Sequence, residues 1–200
     1  MKNKQFIYTE DFANNIYFTA DTHFGHKNII KYCNRPFESV EEHDAELIRR
    51  WNEKVPKNGL VFHLGDVAFG NSERVNDILM QLNGIIFLVI GNHDWRRIVS
   101  DHIWRFYDMS QQVNMKIGKR HIILNHYPLL CFSGSWRKPE DMTYQLFGHV
   151  HTSPYCNDGL DATRMNMLFP SQYDVGVDNN NFTPVSWKEV DEIIKNQINK

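Results

Sequence analysis

Cysteine is scarce in this chain. Its three cysteines, Cys33, Cys131 and Cys156, are widely separated and form no C-x-x-C pair, which excludes a disulfide framework and a zinc site built on thiolates. No apolar run approaches the roughly 20 residues that a membrane span requires. The opening MKNKQFIYTEDF lacks the apolar stretch of a signal peptide, so the expected location is the cytoplasm, with no membrane partner. Neither sign of charge dominates: 22 Lys+Arg against 24 Asp+Glu leave a formal net charge of −2. A domain dedicated to duplex nucleic acid usually carries a basic excess on one face, and no stable nucleic-acid partner is expected here. Low-complexity tracts, internal repeats and Pro/Gly linkers are missing, so residues 1–200 read as one domain. Nothing in the sequence sets the oligomeric state.

What is plentiful is histidine. There are ten in 200 residues, which points to imidazole chemistry or metal binding. A hydrophobic share of 42% excludes wholesale disorder and allows a sizeable core. Short apolar runs alternate with amphipathic segments, the pattern of an α/β fold. Strands are expected at Ile16–Ala20, Leu60–Leu64 and Ile85–Ile90, the last fully apolar and so buried on both faces. A hairpin is expected over Val113–Ile117 and His121–Leu124, turning at Gly118-Lys119, with further strands at Gln145–Phe147 and Tyr173–Val177. Helices are expected from Ser39 to about Val55, from Ser72 to about Leu82, and after Ser186, where Ser186 and Glu189 form a capping box. The 133–143 and 152–163 stretches read as loops.

Polar residues capable of binding metal follow the strands. Asp21-Thr22-His23 follows the first, Gly65-Asp66 the second, and Gly91-Asn92-His93-Asp94 the third. His126 follows the hairpin and Gly148-His149-Val150-His151 the next strand. Ligands of open α/β sheets gather beyond the carboxyl ends of strands, so these tips can meet in one crevice. Each fragment alone is a weak signal; the ordered set is a strong one. D-x-H, G-D, G-N-H-[DE], H and G-H-x-H, in that order, are the blocks through which this chain resembles the calcineurin-like metallophosphoesterases.

The resemblance implies a layered α/β/β/α sandwich, with two central mixed sheets flanked by helices. It implies one cation held by Asp21, His23 and His151, a second held by Asn92, His126 and His149, and Asp66 bridging the two. Seven such side chains exceed the needs of one ion, and mixed nitrogen and oxygen donors without thiolate suit Mn, Fe, Zn, Co or Ni better than Ca or Mg. Two divalent transition-metal ions are expected as cofactors, with Mn first. The implied reaction is phosphoester hydrolysis by a metal-bridging hydroxide, with His93 as general acid to the leaving group and Asp94 either orienting His93 or filling a surface or capping role. The expected partner is a small phosphoester, nucleotide-like or otherwise, with diesters favoured over monoesters.

His26 completes a D-T-H-F-G-H block like that of small bacterial and phage members, and is a candidate for contact with substrate phosphate. Arg96 and Arg97 either grip phosphate or occupy a solvated turn. His63 reads as core or as support behind the ligands, and His43, His102 and His121 as structural. Trp136-Arg137-Lys138 is a weak candidate rim for a nucleoside. Val67-Ala68-Phe69-Gly70 follows Gly65-Asp66 where the Ser/Thr phosphatases carry an Asp-Arg-Gly block, and Ile90 stands where they have arginine. Both departures argue against a phosphoprotein substrate. Two alternatives remain open: a catalytically silent scaffold of the same fold, and a nuclease acting on short nucleic acid.

Overall fold

The computed structural model of the protein describes residues 4–95, 98–101, 105–152 and 166–200. Its two five-stranded sheets are mixed. The first runs β10-β2-β3-β4-β5, from strands β2 (Ile16–Thr19), β3 (Leu60–His63), β4 (Ile85–Val89), β5 (Asp108–Ser110) and β10 (Val185–Ser186). In it β2 to β5 are parallel and β10 is antiparallel at the edge. The second runs β1-β6-β7-β8-β9, from β1 (Lys4–Tyr8), β6 (Gln112–Ile117), β7 (Arg120–Asn125), β8 (Tyr144–Phe147) and β9 (Gln172–Asp174). Here β6 and β7 form the expected hairpin, and β7, β8 and β9 run parallel.

Alternation along the strands builds two cores. Phe18, Phe62, Phe87 and Val89 face Val113, Met115, Leu124 and Leu146 across the gap between the sheets. The intervening residues Val61, Ile86 and Leu88 face outward onto Leu47, Trp51, Ile78 and Leu79. Those last four belong to α3 (Val40–Lys54) and α4 (Ser72–Gln81). Burial on both faces explains why β4 reads as an unbroken apolar run and β3 as apolar but for His63. Ser39 caps α3 by accepting from the Glu42 amide, and Asn71 caps α4 from the Arg74 amide.

The last helix, α6 (Trp187–Ile198), has its full capping box and sends Val190 and Ile194 into the core between the sheets. Three short helices, α1 (Glu10–Ala13), α2 (Lys27–Tyr32) and α5 (Ile98–Asp101), complete the α-helices among the described residues, beside single 3-10 turns at Pro139–Asp141 and Val177–Asn179. On the outside of the second sheet Gln145 and Gln172 bond each other and the backbone of Tyr127 and Leu129, so irregular chain after β7 covers that face. No helix among the described residues is long and apolar enough to cross a membrane.

β9 is shorter than expected. It stops at Asp174 because Gly176 leaves the sheet to bridge Ala20, at the tip of β2. That bridge ties the two sheets together at one end.

Candidate metal centre

The tips of β2, β3, β4, β7 and β8 converge at this end. The Asp21 amide donates to Gly65 O at 2.9 Å, the His23 amide to Asp66 O at 3.0 Å, and the Gly148 amide to His126 O at 3.0 Å. Backbone meets backbone between β3 and β4, and only glycine fits. A Cβ on Gly65 would lie 2.6 Å from Gly91 Cα, and one on Gly91 would collide with the Asp66 carboxylate. Asp21, His23, Asp66, His149 and His151 all have φ between 49° and 72°. Non-glycine residues in that region cost about 1–3 kcal/mol each, so five of the seven expected ligands sit on backbone that the surrounding bonds must hold in place.

The ligand atoms form two groups. Those of Asp21, His23 and His151 lie within 4.8 Å of one another, and so do those of Asp66, His126 and His149. Asp66 Oδ2 stands between the groups, 3.7 Å from His23 Nε2 and 3.6 Å from His126 Nε2. Two ligands about 2.1 Å from a shared ion lie roughly 3–4 Å apart, so this one oxygen is within range of an ion on either side.

Three observations test whether cations fit. First, Asp21 Oδ1 and both ring nitrogens of His23 are buried with no hydrogen-bond partner, a costly state for polar atoms unless something else binds them. Second, burial holds His126 neutral, leaving it a single N–H. The Leu64 carbonyl, 2.7 Å from Nδ1, takes it. Nε2 then turns its lone pair towards Asn92 Oδ1 at 2.9 Å, and two acceptors that close suit a shared cation. Third, five carboxylates, Asp21, Asp66, Asp94, Asp174 and Asp178, are buried around the site with Arg35. Unpaired buried charge is unfavourable, and divalent ions would offset it. The residues fit two cations.

Proton affinities carry the same signature. Burial pushes the Asp21 carboxyl well up, with Asp174 and Asp66 adding to the effect. Burial also raises Asp66, Asp94 and Asp174, drives His23 well down and lowers His63 to about 3. His151 goes the other way. Burial opposes its charge, but the Asp21 carboxylate and the hydrogen bond to Asp178 outweigh it and raise the imidazole to about 11. Asp178 is lowered because the Arg35 guanidinium outweighs its burial.

His93 lies at the mouth. Its ring is 49% exposed, its Nε2 is 4.0 Å from Asp66 Oδ2, and its amide donates to Asp66 Oδ1 at 2.9 Å. The expected orientation of His93 by Asp94 is not what the geometry gives. Asp94 is buried and accepts the amides of Asp66 (2.9 Å), Gly91 (2.7 Å) and Val67 (3.0 Å), so it clasps the β3 and β4 tips and is the capping alternative in a stronger form. His26 stacks on Phe69 at 4.2 Å and lines the same cleft, of about 580 Å³, together with Ile29 and Tyr32. Arg96, Arg97 and His102 lie outside the described residues.

His63 is buried behind the ligands with Nε2 2.9 Å from Thr22 Oγ1. His43 is buried too, its Nε2 taking a bond from Arg35 at 2.8 Å and its Nδ1 lying 2.9 Å from Asp44. Arg35, Asp44, Asp174 and Asp178 escaped the sequence reading. Asp44 accepts the Gly25 amide at 2.9 Å, and Asp174 the Thr152 amide at 3.0 Å, so both fix the ends of ligand loops. Tyr127, beside His126, packs its ring 4.6 Å from that of His149.

The sequence signature described as calcineurin-like phosphoesterase matches residues 15–134, more than half of the chain. An uncharacterized protein of Methanocaldococcus jannaschii is 47% identical over 81 residues, 40% of this chain and 46% of that protein. The chain therefore matches less than half of that relative's length. The gene 66 protein of Mycobacterium phage L5 is 28% identical over 69% of this chain and 78% of its own. That of phage D29 is 27% identical over 82% and 88%. A solved structure, a protein of unknown function from Aquifex aeolicus, superposes with a TM-score of 0.67 at 22% identity, covering 89% of this chain and 98% of that one. At that identity the likeness concerns the fold alone.

Proposed function

Since the chain belongs to the calcineurin-like phosphoesterase family, whose members are in general metal-dependent hydrolases of phosphoesters, we propose that it hydrolyses small phosphoesters with two divalent cations and favours diesters. The observation that carries the two-cation reading is Asp66 Oδ2, 3.7 Å from one ligand group and 3.6 Å from the other. The mixed nitrogen and oxygen donor set suits Mn, Fe, Zn, Co or Ni, and manganese is the cation proposed first. Asp21, His23 and His151 would hold one ion, Asn92, His126 and His149 the other, and Asp66 both. When bound, such ions supply Lewis acidity towards phosphoryl oxygens and acidify coordinated water.

The chain's own residues do the rest. Asp66 and Asp94 keep the strand tips at a fixed spacing. His93 lines the cleft with a half-exposed ring that can pass a proton to the departing alkoxide. Ile29, Tyr32 and Phe69 give the cleft an apolar wall, room for the second organic arm that distinguishes a diester from a monoester. That wall is the support for diester preference.

Bis-p-nitrophenyl phosphate and p-nitrophenyl phosphate, each assayed with Mn²⁺ and again with chelator, test the proposal. Chelator-sensitive hydrolysis, faster on the diester, is expected; metal uptake without hydrolysis of either ester would favour a silent scaffold. Asp66→Ala should lose ion binding and turnover together, by about 10³-fold or more in rate. A variant that still holds two ions tightly would rule out the bridge.

A further inference from the structure

We infer that Asp178, held in place by Arg35, is a positioning residue for only one of the two cation sites, that of Asp21, His23 and His151; this rests on the two-cation reading above. Asp178 lies in the short turn Val177–Asn179, 2% exposed. Its Oδ2 is 2.8 Å from His151 Nδ1. The bond takes up the Nδ1 proton and leaves Nε2 as the nitrogen available to the centre.

Arg35 is 3% exposed and grips both oxygens of Asp178 at 2.8 and 2.7 Å. Its other bonds go to the Asp21 carbonyl at 2.7 Å, the Thr22 carbonyl at 3.0 Å and His43 at 2.8 Å. One guanidinium therefore fixes the turn carrying Asp21 and His23 together with the carboxylate behind His151. Those are the three ligands of a single group.

Support on the other side has a different chemistry. His126 Nδ1 is backed by the neutral carbonyl of Leu64, and Asn92 is exposed at the rim. A carboxylate behind an imidazole makes it a stronger ligand than a carbonyl does, and losing such a partner typically weakens metal binding 10–100-fold. The effect of losing Asp178 should fall on one ion and spare the other. A buried ion pair that merely held the fold together would not discriminate between them.

The test titrates metal-free wild type, Asp178→Asn and Arg35→Lys with Mn²⁺ by calorimetry, and follows each fold by circular dichroism. Two ions are expected in wild type. In Asp178→Asn one ion should keep its affinity while the other weakens about 10–100-fold. Arg35→Lys should weaken the same ion, since an ammonium cannot reproduce the planar fork. Unchanged binding of both ions in both variants overturns the inference. So does equal weakening of both ions, or loss of the folded state in both variants, either of which would make the pair structural. Fewer than two ions in wild type would instead overturn the two-cation reading, and this inference with it.

Discussion

His93 and Asp94 are neighbours with opposite surroundings. His93 is half exposed at the mouth of the cleft, with its backbone amide tied to the Asp66 carboxylate, which suits a group that meets substrate. His93→Ala should keep its metals and lose about 10²–10⁴ in rate, most with poor leaving groups. A rate loss independent of leaving-group pKa would remove it as the acid. Asp94 is fully buried and satisfies three backbone amides. Asp94→Ala should cost more than about 3 kcal/mol, since each stranded amide costs about 1–3 kcal/mol. Chemical denaturation measures this, and a loss below about 1 kcal/mol would show that water replaces the carboxylate. No pattern around Asp94 distinguishes these two roles, because a lone acidic residue after histidine reads the same whether it faces solvent or three amides.

At the scale of elements, what could be read in advance was whatever has a local cause. Ile16–Thr19, Leu60–His63 and Ile85–Val89 stand out because both faces are buried, and their polar tips stand out because an apolar run ends there. Lys4–Tyr8 and Asp108–Ser110 went unread because each is an edge strand, short and partly polar, whose pairing depends on a distant partner. Arg35 and Asp178 are the extreme case. They lie 143 positions apart, and nothing local marks either as one half of a buried pair. Local causes also give local effects. Ser186 and Glu189 close the capping box of the last helix, so Ser186→Ala should lower stability by about 1 kcal/mol and leave metal uptake unchanged. A thermal melt and a metal titration of the same variant check both halves; altered ion binding would mean that this helix reaches the centre.

The whole molecule behaves as an acid–base system coupled to metal. In the metal-free chain His151 holds its proton up to about pH 11, and burial keeps Asp21 prone to protonation. A raised pKa means that the protonated His151 contributes stability that is complete below its ordinary value near 6.5 and is lost as pH climbs through about 11. A metal ligand must be neutral imidazole or carboxylate, so the ion at Asp21 and His151 would displace protons. Cation binding should release protons, and the rise in melting temperature on adding Mn²⁺ should be larger at pH 8.5 than at pH 6.0. Equal shifts at both values would mean that His151 does not ligate.

The placement of β1 has a consequence for how the chain comes together. Lys4 pairs with Val113 and Tyr8 with Ile117, while every strand from β2 to β5 belongs to the other sheet. During synthesis, where domains assemble as chain emerges, β1 must stay unzipped while four strands of the other sheet, β2 to β5, are made ahead of its partner. Phe6 and the exposed Ile7 ride on it, a sticky ribbon in the nascent polypeptide until the hairpin arrives to claim it.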